Sequence, residues 1–315
     1  MNNTKKKSPI SWVPTAYFAM GLPFVVLNMV TVLMFKGLEV DDKLITFWTS
    51  LILLPWTLKP LWSPFLELFR TKKFFVIVTQ LITGITFGLV AFALNLSHFF
   101  SISIALLAIV AFSGATHDIA CDGVYMSELS NEDQARFIGW QGAFYNIAKI
   151  LATGGLVYLA GYFIELNADA GLLTANKRAW MIILLILSVT MILLGIYHLF
   201  ALPSTQSASS RKTLRSNKEV MKELGQVLMD FFRKTHITYY ICFIILYRFA
   251  EGFVMKIVPL FLKADREMGG LGLNEKEIGL YYGTYGAAAF VLGSLLAGYY
   301  IARRGLKKTI FSLCC

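Results

Sequence analysis

The chain has 315 residues, of which 57% are hydrophobic and only 15% are charged, and its mean hydropathy is +0.62. These values lie outside the range of soluble globular proteins, so the net charge of +10 has to be interpreted relative to a lipid bilayer and not as a signal for nucleic acid. The chain is therefore an integral membrane protein, and we expect membrane lipid and no nucleic acid among its partners.

Eight stretches are long and apolar enough to cross a hydrocarbon core of about 30 Å, which takes about 20 helical residues. The sequence then ends on TIFSLCC, which is typical of a ninth span that is cut short, and we expect a fragment of a longer protein. The predicted spans, numbered one to eight, are Trp12–Phe35, Leu44–Leu66, Phe74–Leu94, Phe99–Tyr125, Phe137–Ile164, Trp180–Leu202, Ile237–Leu262 and Ile278–Ala302.

Lysine and arginine are distributed unevenly about these spans. If the amino terminus is cytoplasmic, 18 of the 29 cations lie in inner segments and 7 in outer segments. Cations on short loops resist translocation, so the asymmetry predicts a cytoplasmic amino terminus. The longest inner loop, residues 203–236, is basic, and we predict that it separates an amino-terminal bundle, 1–202, from a second unit, 237–315.

The two units share a sequence repeat. GLEVDDKLITFW, from Gly37, precedes span two, and GLGLNEKEIGLY, from Gly270, precedes span eight; a basic turn follows each span. Parallel repeats of this kind are a known plan of secondary transporters, in which the solute site lies between the halves. We therefore predict an all-α membrane protein with a complete six-helix bundle and the first two helices of a carboxyl-terminal bundle.

Span four carries His117, Asp118 and Asp122 near its inner end. The i, i+4 spacing places the two carboxylates on one helix face, and a charge within the membrane costs about 2.5 to 3.5 kcal/mol unless a partner offsets it. Lys59 of span two and Lys149 of span five are the predicted partners. The acids either pair with these lysines only to hold the helices together, or serve in gating or proton coupling with Lys149 as a switching partner, whereas His117 needs only a hydrogen bond.

Span seven places Tyr247, Arg248 and Glu251 near the bilayer midplane. At the spacing i, i+3, Arg248 and Glu251 either satisfy each other or leave the arginine to bind an anionic group on a solute.

A metal site is a further interpretation of span four, because His117, Asp118, Cys121 and Asp122 form two i, i+4 pairs of ligand types. The other histidine within a span is His198, in span six, and no HExxH or CxxC motif supports a zinc site. We predict no metal and no cofactor, and keep a metal-cation transporter as an alternative. We also predict no enzyme activity, since no nucleophile with a base is recognised.

The segment HDIACDGVYMSEL, from His117, resembles the fourth-span signature of the peptide, acetyl-coenzyme A and drug uptake family, within the major facilitator superfamily. KPLWSPFLELFRTKK, LYRFAE and LNEKEIGLYYGTYGAAAFVLGSLLAG are similar to that family's span-two exit, span seven and start of span eight. The resemblance covers nearly the whole chain and extends to the AmpG-type muropeptide permeases of bacteria. It implies a fold of twelve helices in two bundles, alternating access, and proton-driven import of a cell-wall sugar-peptide.

Two features depart from the family pattern. The family's Gln before the first Asp is His117 here, and its Gly-Tyr-Arg in span five is Phe144, Tyr145 and Asn146, with the cation displaced to Lys149. The identity of the solute therefore does not follow from the resemblance.

The resemblance and the charge pattern together predict a monomeric transporter of the bacterial inner membrane, with a small organic solute and protons as its partners. The alternative is a truncated membrane sensor or scaffold that does not transport. The residues predicted for coupling or gating are Asp118, Asp122, Lys149, Lys59 and His117, and those predicted for the solute site are Arg248, Glu251, Tyr247, Tyr145 and Asn146.

Overall fold

The computed structural model describes residues 7–63, 66, 71–203, 225–226, 229–230, 232–289 and 292–293, and only the backbone of residues 135, 247, 248, 250 and 251. All regular structure in these ranges is helical, as predicted. The predicted ninth span and most of the basic linker lie outside the described residues. Spans one to six are Pro9–Gly37, Asp42–Leu61, Lys72–Ala93, Phe99–Glu128, Asn131–Leu166 and Leu172–Ala201. Span seven is Ile237–Lys263, and span eight begins with Glu275–Ile278 and Gly279–Tyr285.

Successive spans run in opposite directions, and this defines two faces of the molecule. The start of span one, the ends of spans two and six and the turn between spans four and five lie on one face, here called the linker face. The turns after spans one, three, five and seven lie on the other, the far face. Spans one to six are called the first half, and spans seven and eight the second half.

Span one lies at the centre of the first half. Within its most apolar window 89% of the residues are buried, against 22% to 61% for the other five spans of that half. It packs against spans four and five, while span three packs along both span four and span six. Lipid is as apolar as these side chains, so close packing and hydrogen bonds, and not the removal of apolar surface from water, hold the helices together.

Span two is broken, and the break explains the position of Lys59. Its first part ends at Leu51, a short helix follows at Leu54–Leu58, and Lys59–Leu61 form a single 3-10 turn. Pro55 and Pro60 interrupt the hydrogen bonding because proline has no backbone N–H to donate. A membrane helix tolerates such breaks where neighbouring helices satisfy the freed groups.

Two other features of the spans differ from the sequence prediction. Span six begins at Leu172, eight residues before the predicted Trp180, because the polar Asn176, Lys177 and Arg178 lower the local hydropathy without interrupting the helix. Spans one, five and eight contain π-helical stretches at Val26–Val30, Leu151–Leu156 and Gly279–Tyr285. Such stretches are frequent at functional sites.

The predicted sequence repeat is confirmed by the local structure. The side chain of Asp41 caps span two by accepting from backbone N–H groups, and that of Asn274, 233 positions later, caps span eight in the same way. Glu39 and Gly272, which are also 233 positions apart, both have positive φ angles, 61° and 63°. Both repeats thus enter their second helix through the same turn.

Candidate functional site

Asp118 of span four is held by two donors from the broken part of span two. Lys59 Nζ lies 2.6 Å from Asp118 Oδ2, and Trp56 Nε1 donates to the same oxygen at 2.9 Å. Asp118 is buried, with 8% of its surface exposed. The predicted contact between Lys59 and Asp118 therefore forms.

Gly114, one turn before Asp118 on the same helix, makes room for the indole of Trp56. A Cβ added to Gly114 would lie 2.8 Å from Trp56 Cζ2, which is too close for a real contact. The ring of Phe24 packs edge-on against the indole, with 5.2 Å between ring centroids. The orientation of the Trp56 N–H thus depends on the absence of a side chain at Gly114.

The two carboxylates of span four have different surroundings. Asp118 Oδ1 is buried and has no hydrogen-bond partner among the described residues. Asp122 is exposed and accepts a hydrogen bond of 2.8 Å at Oδ1 from the hydroxyl of Tyr17, a buried residue of span one. One acid is paired with a cation and the other is bound by a phenol.

His117 belongs to a buried chain of hydrogen bonds. Its Nε2 lies 2.9 Å from Nε2 of Gln80, and Oε1 of the same amide lies 2.8 Å from Nδ1 of His198. His198 Nε2 in turn lies 2.9 Å from the hydroxyl of Thr15. The chain links spans four, three, six and one. The sequence drew attention to both histidines but not to Gln80, because an uncharged amide carries no charge signal within a span.

Lys149, the predicted switching partner, forms no hydrogen bond or ion pair with Asp118 or Asp122 in the described part of the chain. The reason is the order of the helices. Span one packs against both spans four and five, and these two spans share little packing of their own. Span one thus lies between the helix of Lys149 and the helix of the acids, and the switching role of Lys149 stays a prediction.

Tyr145 and Asn146 of span five form no hydrogen bond with the acids among the described residues, although Tyr145 is near enough to Asp118 for an electrostatic interaction. Asn146 Nδ2 donates to the carbonyl of Gly142 at 2.8 Å, so its own helix satisfies this amide. Tyr145 is half-buried and packs closely on span one, since a Cβ added to Gly21 would lie 2.9 Å from the Tyr145 carbonyl oxygen.

Span seven contributes described cations to the contact between the halves, and Lys256 is one of them. Tyr247, Arg248 and Glu251 lie in its helix, but their side chains are outside the described part. Lys256 is buried, and its Nζ donates to the backbone carbonyl of Thr49 at 3.2 Å. That carbonyl is available because span two breaks just beyond it, where the N–H of residue 53 bonds to the carbonyl of residue 50 instead.

Spans five and eight meet along a seam of glycines. A Cβ added to Gly283 would lie 2.4 Å from the Cα of Gly154. A Cβ added to Gly161 would lie 2.5 Å from the backbone nitrogen of Lys276. Small residues allow this close approach of backbones, as expected for packed membrane helices. The glycine seam thus joins the two halves through backbone contact.

Ion pairs lie beside the seam at the far face. Lys276, in the first helical turn of span eight and before its apolar part, pairs with Glu165 at the end of span five, and Lys263 pairs with Glu275 within the second half. The hydrogen bond to Glu165 raises the pKa of the Lys276 ammonium above its ordinary value.

In the described residues, the main packing between the halves involves the far-face parts of spans one, two, five, seven and eight. The halves are thus closed against each other at the far face.

Comparison with known proteins gives matches to a family model, to curated relatives and to a solved structure. The family model described as Major Facilitator Superfamily matches residues 15–315. The chain is 23% identical over 301 residues to the anhydromuropeptide permease of Escherichia coli K12, and likewise to that of Escherichia coli O157:H7, with 93% of this chain and 55% of each permease covered. It therefore spans about half the length of the curated relatives that it matches.

The solved structure is a crystal structure of a bacterial homologue of the human lysosomal transporter Spinster, in an inward-facing and unoccupied conformation. The TM-score is 0.66 and the identity 13%, with 97% of this chain and 64% of the other covered. At this identity the likeness concerns the fold alone.

Proposed function

Because the chain belongs to the major facilitator superfamily, whose members are transporters and not enzymes, we propose that it imports a sugar-peptide of the muropeptide class across the bacterial inner membrane in symport with protons. The similarity to the anhydromuropeptide permeases supports this class of solute. The contacts of span four support the proton coupling.

The observation that carries the proposed coupling is the asymmetric binding of Asp118. Lys59 and Trp56 both donate to Oδ2, whereas Oδ1 is buried, has no hydrogen-bond partner among the described residues and can accept a proton. Protonation at Oδ1 removes the negative charge and with it the attraction between the carboxylate and the Lys59 ammonium. Lys59 lies in a short turn beyond the helix break, so the protonation state of Asp118 is coupled to the position of this part of span two.

Asp122 is the proposed point of contact with water. Its carboxylate is exposed, and an ionised acid at this depth has to face water and not lipid, because lipid solvates charge poorly. The hydroxyl of Tyr17 fixes one of its oxygens. A proton can therefore reach Asp122 from water, one helical turn from the buried Asp118.

Closure of the far face supports an alternating-access cycle. If the linker face is cytoplasmic, as the excess of cations on that side favours, closure of the far face is what the inward-facing half of the proposed cycle requires. Opening to the other side then requires separation of the glycine seam and of the ion pair between Lys276 and Glu165.

The proposed solute site lies between the halves, on the linker side of the closed contacts. Arg248 of span seven is suited to a carboxylate of the peptide, because a guanidinium binds carboxylates through paired hydrogen bonds. Tyr247 and Glu251 of the same helix are proposed to complete the site, with Tyr145 and Asn146 opposite them.

The test is uptake into right-side-out membrane vesicles that contain the chain, with an imposed inward proton gradient. Labelled anhydromuropeptide, tripeptide and disaccharide are offered separately, and we expect accumulation of the anhydromuropeptide alone, abolished by a protonophore. Asp122→Asn should lower the initial rate at least tenfold, while Asp169→Asn, at an exposed acid in the far-face turn, should leave it unchanged. If none of the three solutes accumulates, the proposed transport is wrong. If the rate of uptake does not depend on the proton gradient, the proposed coupling is wrong.

A further inference from the structure

The hydrogen-bond chain from Thr15 to His117 is buried along most of its length. Gln80 and His198 are 0% exposed and His117 is 3% exposed, while Thr15 is half-buried. The side-chain amide of Gln80 has a hydrogen-bond donor at one end and an acceptor at the other. One imidazole therefore faces a donor and the other faces an acceptor.

The amide therefore constrains the protonation of both rings. Gln80 Nε2 faces His117 Nε2 and must donate to it, so this nitrogen keeps its lone pair and His117 stays neutral, with its proton on Nδ1. Gln80 Oε1 faces His198 Nδ1 and accepts its proton. This ring is free to be neutral or charged, depending on what its other nitrogen binds.

Thr15 provides a partner for that other nitrogen in either state. When His198 is neutral, the Thr15 hydroxyl donates to Nε2 over 2.9 Å. When Nε2 is protonated, it donates to the Thr15 oxygen, and the hydroxyl turns to the backbone carbonyl of Trp12, at 3.2 Å. By contrast, His117 Nδ1 is buried with no partner among the described residues.

We propose that Thr15, His198, Gln80 and His117 form a buried site for a single proton, in which the orientation of the Gln80 amide decides which imidazole can be charged. In the structure this imidazole is His198. Uptake adds one proton to the lone pair of His198 Nε2 and turns the Thr15 hydroxyl; no other bond changes, and release reverses the step.

Turning the amide over exchanges the two roles. Oε1 then faces His117 Nε2, which can carry a proton, while Nε2 of Gln80 donates to His198 Nδ1, which has to keep its lone pair. The protonatable ring moves from span six to span four, next to Asp118 in the sequence. The site is a property of the buried hydrogen bonds and does not depend on the proposed solute or on uptake.

Nearby cations oppose a second proton on the pair. Burial is the largest obstacle to a charge on either ring; Lys59 also repels a charge on His117, Lys73 repels a charge on His198, and each charged imidazole would repel a charge on the other. The negative charge of Asp118 is already paired with Lys59. The titratable groups near the chain on the spans packed around it are Tyr17, Lys59, Lys73, Asp118, Cys121, Asp122 and Tyr197.

The test is nitrogen NMR of the purified protein labelled with ¹⁵N in its histidine rings, which number four. Ring nitrogen shifts distinguish the two neutral tautomers from the charged form. His98 and His236 are exposed and serve as internal references. As the pH is lowered from about 8 to about 4, below the usual imidazole range because burial disfavours the charged form, we expect His117 to stay neutral with its proton on Nδ1 and His198 alone among the buried pair to become charged.

A variant at Thr15 separates the proton site from a merely structural role. Thr15→Val keeps the shape of the side chain but removes the partner of His198 Nε2, so His198 should stay neutral over the range in which it charges in the unchanged protein. Thr15→Ser retains the hydroxyl and should restore charging. Folding of both variants is checked by the signals of His98 and His236.

Three outcomes would overturn the proposal: charging of both buried rings together, charging of neither, or an unchanged His198 in Thr15→Val. The measurement needs neither solute nor a proton gradient. Failure of the uptake assay would therefore leave this site standing, and failure of the NMR test would not bear on the proposed solute.

Discussion

Lys59 and Asp118 join a broken helix to an unbroken one. The ammonium sits in a single 3-10 turn after the helix break of span two, and the carboxylate lies in the continuous helix Phe99–Glu128, with 2.6 Å between Nζ and Oδ2. The ion pair therefore fixes the least regular part of the first half to one of its longest helices.

Removal of the lysine side chain should leave Asp118 as a buried charge held by Trp56 alone. We expect Lys59→Ala to lower the free energy of unfolding by about 3 to 5 kcal/mol, as is found when one partner of a buried pair is removed. Chemical denaturation of the purified protein in detergent, followed by circular dichroism, measures this change.

Lys36→Ala is the matched control. Lys36 pairs with Asp42 at 2.8 Å, but this pair is more exposed, with side-chain exposures of 27% and 45%. An exposed pair contributes about 0 to 1 kcal/mol, so the control should lose no more than that. Equal losses in Lys59→Ala and Lys36→Ala would show that the burial of Asp118 does not decide the cost.

The sequence allowed the pairing of Lys59 with Asp118 to be predicted, but it did not distinguish Lys59 from Lys149 as the partner of that acid. Depth along each span follows from the rise of the helix, and depth alone brings both lysines to the level of the acids. Which spans are neighbours is a property of the folded bundle. Because span one packs against both spans four and five, a lysine of span five at the depth of the acids does not have to contact them.

The spans themselves were predicted well, since apolar length is a strong signal in a membrane protein. The breaks and π-helical stretches were not, because a hydropathy window averages over them. The small residues of spans five and eight predicted close packing, but the partner of each glycine depends on the rotation of both helices about their axes. Nothing in the sequence marked Gln80 as a site residue, and its role is evident only from the imidazoles of His117 and His198 to which its amide bonds.

A side chain at Gly283 should force the far face apart. The added Cβ would lie 2.3 Å from the carbonyl oxygen of Thr153 and 2.4 Å from the Cα of Gly154, and backbone atoms cannot move aside without moving the helix. Contact distances of about 3.5 to 4.0 Å are needed, so Gly283→Val should separate spans five and eight by about 1 Å or more.

Pulsed electron resonance between spin labels at Ala168 and Met268, on either side of the seam at the far face, measures this separation. We expect Gly283→Val to shift the distance distribution to longer values. Gly139→Val is the control within span five, because no atom lies within 4 Å of a Cβ added there. A shift of the same size in the control would contradict a specific role of the glycine seam.

The repeat predicts opposite responses at Glu39 and Gly272. Both residues have a left-handed backbone, which glycine adopts without steric cost and other residues adopt at about 1 to 2 kcal/mol. Glu39→Gly should therefore be neutral or stabilise the protein by up to about 1 kcal/mol, since glycine also loses more chain entropy on folding.

Gly272→Ala should destabilise the protein by about 1 kcal/mol, because the new side chain meets the cost that Glu39 already bears. Thermal unfolding of both variants in the same detergent gives the comparison. Destabilisation by both substitutions would mean that the Glu39 side chain makes a contribution that outweighs its backbone strain.

The ion pair between Lys276 and Glu165 should keep the far face closed up to alkaline pH. The hydrogen bond raises the pKa of Lys276 above its ordinary value of 10.5, so the pair contributes fully below that pH and its contribution is lost as the pH rises through the raised pKa. Lys276→Gln should remove the contribution of this pair at every pH.

An exposed ion pair changes the equilibrium between closed and open far faces by less than about fivefold and is screened by salt. The open population should therefore rise by no more than about fivefold in the variant and in high salt. Spin labels at Ala168 and Met268 report the open population, and Lys43→Gln, at the residue that corresponds to Lys276 in the first repeat, should leave it unchanged.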